Sequence, residues 1–222
     1  MTPVKIGFVL LSNSRHPIPS TRIAVLNMFP FLRAANFDPH IVFEPEHGTE
    51  NPDVTDLAPR LLAENFRIIF FQKVHGGSVE KLARQLSTAG VKTVYSVCDL
   101  VDPAMAAATD ITIVVTDYLK SLYPFALQPK IYVVHDGIEH PELYKSDQST
   151  HWGSRGNPLR AVLVTSANLD RLPIISTPPE WLEVSIVGCY PPLGQTWQRL
   201  REDRWHLSTQ RDLRHVWLIC VF

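Results

Sequence analysis

Three stretches of this sequence set side chains able to do chemistry beside backbone that would hold them in place. In "SNSRHPIPSTR", two hydroxyls and a guanidinium, Ser20, Thr21 and Arg22, stand where an apolar-periodic segment begins. Unpaired N–H groups at a helix start favour an anion, so this trio can hold a phosphate or a sugar hydroxyl. The plainer alternative is an N-cap beside a solvated arginine. In "KVHGGS", Lys73 and His75 precede two glycines whose N–H groups either face a ligand or simply turn a strand into a helix. In "SVCDLVDP", Asp99 and Asp102 are two carboxylates able to bind hydroxyls or act as a base. Asp102-Pro103 is also a helix-start signal, and we favour that reading of the pair.

A fourth stretch, "IYVVHDGIEHP", runs strand-forming residues straight into His135-Asp136-Gly137. His135, Glu139 and His140 match no standard ligand spacing, and no metal is expected. Cys98 reads as a small buried filler rather than a nucleophile. Several signatures are missing. No G-x-G-x-x-G follows the first strand, and no phosphate-binding G-x-x-x-x-G-K-[ST] loop occurs. "HGG" at His75–Gly77 lacks the G-x-S-x-G elbow that an esterase would need.

The elements that must position these residues alternate between two periods. Val4 to Leu11 is a nearly continuous apolar run, which suits a strand covered on both faces. "PSTRIAVLNMFPFLRAANF" places Ile23, Leu26, Phe29 and Leu32 on one helix face, with Ser20 or Thr21 as its cap and a bend at Pro30. "HIVFE", "FRIIFFQ", "KTVYSV", "ITIVV" and "KIYVV" predict further strands. "TDLAPRLLAEN" and "GSVEKLARQLSTAG" predict helices, with shorter helical stretches around Met105 and Leu119. In the longer helix Val79, Leu82, Ala83 and Leu86 form the apolar stripe, Glu80 pairs with Arg84, and Gly90 is the stop.

Such alternation predicts an α/β fold, a Rossmann-like parallel sheet with helices on both faces. Ligands of such sheets bind beyond the carboxyl ends of the strands, where all four stretches fall. After Glu139 the pattern lapses into a polar linker, taken as residues 141–158. "LRAVLVTS", "WLEVSIVG" and "LRHVWLICVF" then predict strands of a second, incomplete α/β domain over 159–222, following a first domain over 1–140.

The bulk properties narrow the partners. Of 222 residues, 45% are apolar and 19% charged, with a formal net charge of −1, so neither nucleic acid nor an anionic membrane is implied. Cys98, Cys189 and Cys220 form no C-x-x-C pair, which suits a reducing cytoplasm. The first apolar run is too short for a secretory signal, and no stretch approaches the roughly 20 apolar residues of a spanning helix. A cytoplasmic protein is expected.

Taken in order, the first strand, "PSTRIAVLNMFPFLRAANFDPHIVF", "FFQK", "AGVKTVYSVCDL", "AATDITIVVTDYLKSLY" and "IYVVHDGIEHP" resemble the N-terminal domain of GT-B glycosyltransferases of the family 4 pattern. "VVHDGIE" sits where those enzymes carry a "VIPNGVD"-like segment leading to the second domain. The resemblance implies transfer of a sugar from a nucleotide-sugar to an acceptor, with no metal cofactor. It places Ser20, Thr21, Arg22, Lys73, His75 and Asp99 on the acceptor side of the cleft. Asp136 and Gly137 would lie near the donor, with Arg171 of "TSANLDRL" near its diphosphate.

Two features depart from the family. Its donor-binding E-x(7)-E glutamate pair is not found before Phe222, so a truncated donor domain is expected, with association through an open sheet edge around Val216–Ile219. "YSVCDL" also lacks a further aspartate common in relatives. A non-catalytic sugar- or partner-binding module is the competing expectation.

Overall fold

The structure, a computed structural model, describes residues 2–137, 156–164, 179–187 and 217–220. The chain divides into two compact units, with the boundary between residues 143 and 144.

The first unit is a six-stranded sheet in which every pairing is parallel. Its strands are β1 (Val4–Val9), β2 (Phe37–Phe43), β3 (Ile68–Gln72), β4 (Lys92–Val97), β5 (Ile111–Val114) and β6 (Ile131–Val133). They lie in the order β2-β1-β3-β4-β5-β6. Side chains alternate across this sheet, so the near-continuous apolar strands feed two cores. Val9, Ile69, Phe71, Tyr95, Val97, Val114 and Ile131 point to the larger core. It is closed by helices α3 (Leu57–Ala63), α4 (Gly77–Thr88) and α5 (Pro103–Ala108), with Leu119 of α6 (Asp117–Ser121) packed against it. Ile6, Phe8 and Leu10 point to the other face, against Val25 and the partly buried Phe29 and Leu32.

Helix α4 follows its sequence pattern closely. Val79, Leu82, Ala83 and Leu86 are all buried, and Arg84 Nη2 lies 3.1 Å from Glu80 Oε2. Gly90, at φ +83°, takes the left-handed conformation that stops the helix.

The first helical segment departs from expectation. Instead of one bent helix, the chain forms α1 (Pro19–Ala24), a 3-10 turn (Leu26–Met28) and α2 (Phe29–Ala34). Pro30 falls in the first turn of α2, where a missing N–H leaves no helical bond unmade. Neither Ser20 nor Thr21 caps α1: the N-cap is Ile18, with no side-chain cap, and Pro19 opens the helix. Proline is pre-organised for that position, and Thr21 is left for a different use.

Asp110 fastens the starts of β4 and β5. Its carboxylate accepts from the Thr93 N–H and hydroxyl, both at 2.9 Å, and from Ser87 at 3.3 Å, with Lys92 Nζ 3.5 Å away. Burial pushes its pKa up, but the Thr93 hydrogen bonds and Lys92 outweigh that and hold it below the ordinary carboxylate value. Its contribution is therefore complete above the unfolded-state pKa of about 3.9 and is lost as pH falls through the lower folded value. Asp110→Asn is expected to cost about 1–2 kcal/mol at neutral pH and to flatten the acid limb of stability. Urea midpoints measured from pH 7 down to pH 2 check this; parallel curves for the two proteins would refute it.

The second unit holds β7 (Leu159–Val164), β8 (Leu182–Val187) and β9 (Trp217–Cys220), parallel and in the order β8-β7-β9. Ala161 and Leu182 are buried there. Glu139, His140, Arg171 and Val216 lie outside the described residues, as does most of the expected linker. No described helix is long and apolar enough to cross a membrane.

Candidate functional site

From β1 the chain steps to β2 on one side, and β3 then pairs on the other side of β1. Strand order therefore reverses between β1 and β3, and the crevice beyond their carboxyl ends is where such sheets bind ligands. Gln72 ends β3 at this point and is almost completely buried. Its Oε1 accepts from the Leu11 N–H at 3.2 Å and from Thr21 Oγ1 at 2.9 Å, while its Nε2 donates to Ser20 Oγ at 3.3 Å. Ser12 Oγ completes the network, donating to Thr21 Oγ1 at 2.8 Å and accepting from the Ile18 N–H at 3.2 Å. One amide thus ties the tips of β1 and β3 to the start of α1.

Lys73 follows at φ +55°, a left-handed conformation that costs a residue with a Cβ roughly 1–2 kcal/mol. Its N–H donates to Ser96 O at 2.9 Å, and its Nζ lies 2.7 Å from Asp99 Oδ2. Burial pulls the ammonium pKa down, but the Asp99 hydrogen bond and neighbouring negative charge leave it raised overall. Lys73 therefore stays charged at neutral pH although it is 9% exposed. Beside it, burial pushes the Cys98 thiol up, so this sulfur is protonated and a poor nucleophile.

The His-Asp-Gly turn is anchored to the neighbouring strand. The Val134 N–H donates to Val114 O at 2.9 Å, and His135 Nδ1 lies 2.9 Å from Val115 O. The first bond extends the β5–β6 ladder past its last paired residue, the second pins the His135 ring to the end of β5, and Asp136 and Gly137 are exposed at the strand tips. A Cβ at Gly137 would meet nothing within 4 Å, so packing does not demand glycine there.

These tips border a cavity of about 350 Å³, inside the roughly 300–1,000 Å³ range of small-molecule sites. Ser20, Gln72, Lys73, Ser96, Cys98, His135, Asp136 and Gly137 line it together with apolar side chains of β1, β3, β4, β5, α1 and α2. Of the residues singled out from sequence, Ser20, Lys73, Asp136 and Gly137 converge on this cavity. Thr21 is fully buried in the Gln72 network, and Arg22 lies in the last turn of α1. Asp99 reaches the cavity through Lys73. His75 is not among the lining residues: its ring lies between Glu50 Oε2 at 3.6 Å and Asp102 Oδ2 at 3.4 Å. Asp102 is the N-cap of α5, accepting from the Met105 N–H at 2.9 Å, in line with the helix-start reading. Two glycines follow His75, and Gly76 is required as glycine: at φ +93° a Cβ would overlap the Asn51 amide.

Gln72 and Ser96 were missed, whereas His135, in the stretch expected beyond the strand ends, does line the cavity. Gln72 did carry a signal, as the one amide closing an otherwise apolar strand. Among the described residues no group of three or more His, Cys, Asp or Glu side chains converges as a metal site. No protein-family model matches the sequence, and no curated protein matches it.

Proposed function

We propose that this chain is a glycosyltransferase of GT-B type, moving a sugar from a nucleotide-sugar donor to an acceptor hydroxyl. The observation that carries this reading is the cavity at the β1/β3 switch point, where Ser20, Lys73, Ser96 and Asp136 present hydroxyl-binding groups at the tips of a parallel sheet. Ser20 and Lys73 would orient the acceptor. Asp136-Gly137 would face the donor sugar; Arg171, which the family resemblance assigns to the diphosphate, lies outside the described residues. Charge placed at the leaving diphosphate is what lowers the barrier in such a transfer. The reaction requires no metal in this reading.

A specific observation favours a second reading. Lys73 and Asp99 satisfy each other at 2.7 Å, and Cys98 is protonated, so the ammonium at the cavity already has a partner and the thiol is not poised to react. That suits a module that binds a sugar or a protein partner without reacting. Calorimetric titration of the full chain with UDP- and GDP-sugars, with donor hydrolysis followed in parallel, separates the two. Saturable binding accompanied by slow hydrolysis is expected. Binding without hydrolysis would favour the module, and neither binding nor hydrolysis would remove sugar transfer.

A further inference from the structure

The cavity changes character along the strand direction. On β3 the inward side chains run Ile68, Phe70, then Gln72, and on β4 they run Val94 then Ser96, with Cys98 just past the strand end. Phe70 stands opposite Val94, and Gln72 stands opposite Ser96, so the change from apolar to polar happens at the same level on both strands. At roughly 3.3 Å per residue, the apolar part extends about 13 Å back from Gln72 to Ile68. Ile23, Ala24, Met28 and Leu32 wall it from the α1–α2 side. A free monosaccharide uses only the polar rim and leaves this apolar length uncovered by any described residue. An apolar occupant covers it, worth roughly 25 cal/mol per Å².

The rim itself favours a neutral head. Lys73 is neutralised by Asp99, Ser20 and Ser96 offer hydroxyls, and Asp136 adds a carboxylate. An anionic head would meet Asp136, and among the described lining residues the lysine, Lys73, is already paired with Asp99, whereas sugar hydroxyls can donate to Asp136 and accept from Ser20 or Ser96.

We propose that the first unit binds a glycolipid-like amphiphile. Its hydroxylated head sits against Ser20, Lys73 and Asp136, and its apolar chain runs back over Phe70 and Val94 beneath Met28. In calling this molecule the acceptor we rest on the glycosyltransferase reading; its binding does not depend on it.

The test is calorimetry on the full chain with three probes as monomers: octyl glucoside, glucose and octyl sulfate. Octyl glucoside is expected to bind at least tenfold more tightly than either of the others. Val94→Asp, which puts a charge in the apolar half, should abolish that preference. Met28→Glu, at a wall position already 44% exposed, should weaken octyl glucoside binding severalfold and guards against a folding defect in the first variant. Equal affinity for glucose and octyl glucoside would overturn the proposal. So would equal affinity for octyl sulfate, or a chain dimer that Met28→Glu dissociates, because a second copy would then occupy the groove. If octyl glucoside binds and no nucleotide-sugar does, the amphiphile site stands and sugar transfer falls; the reverse outcome separates them equally.

Discussion

Gln72→Leu is expected to cost about 2–4 kcal/mol of folding stability, measured as a fall in the urea midpoint at neutral pH. Leucine fills nearly the same space but accepts nothing. The Leu11 N–H and the Thr21 hydroxyl, both donating to Gln72 Oε1, would lose that acceptor in a buried position. Each stranded buried donor costs roughly 1–3 kcal/mol, far more than the net gain of making such a bond. Thr21→Val, which removes one member and keeps the shape, should cost about 1–2 kcal/mol. The double variant should be less destabilised than the sum of the two, because both act on one network. A loss below about 1 kcal/mol for Gln72→Leu would mean that water replaces the amide, and the network would not be what fixes α1 over the strand tips.

That network shows where sequence reasoning reached and where it stopped. Periodicity located the strands of the first unit, because a strand buried on both faces must read as an apolar run. Helix α4 was legible in detail, since its buried stripe, its Glu80–Arg84 pair and its Gly90 stop are all local in sequence. Proline was legible only in part. Pro30 announced a disturbance, but whether it bends one helix or starts another depends on how Phe29 and Leu32 pack against the sheet.

The site was legible as a set of loops but not as a cavity. Ser20 and Lys73 meet because β1 and β3 are neighbours, and strand order is a property of the whole sheet rather than of any window. Gln72 was passed over because its role depends on Leu11 and Thr21, 61 and 51 residues away in sequence. The capping role assigned to Ser20 or Thr21 failed for a related reason. A buried amide across the crevice offered Thr21 a better partner than the N–H groups of its own helix.

Lys73→Ala should weaken binding of octyl glucoside by about tenfold to a hundredfold, the loss of one hydrogen bond from a charged donor. Its effect on stability should be small, because Asp99 is 57% exposed and water can take the place of the ammonium. The backbone supplies a second arm. Lysine holds a left-handed conformation that glycine adopts without strain, so Lys73→Gly should be about 0.5–1 kcal/mol more stable than Lys73→Ala while binding equally poorly. Such a split, with stability recovered and binding not, identifies a strained residue kept for its side chain. The pH dependence follows from the same pair. Because the folded-state pKa of Lys73 is raised, its contribution is complete below the unfolded value of about 10.4 and is lost as pH rises through the folded one. Binding should therefore be insensitive to Lys73 titration near neutrality and decline only in strong alkali. If Lys73→Ala bound as well as the unaltered chain, the ammonium would serve only to hold Asp99 and the β4–α5 turn, and the head-group contacts would have to be sought elsewhere along the strand tips.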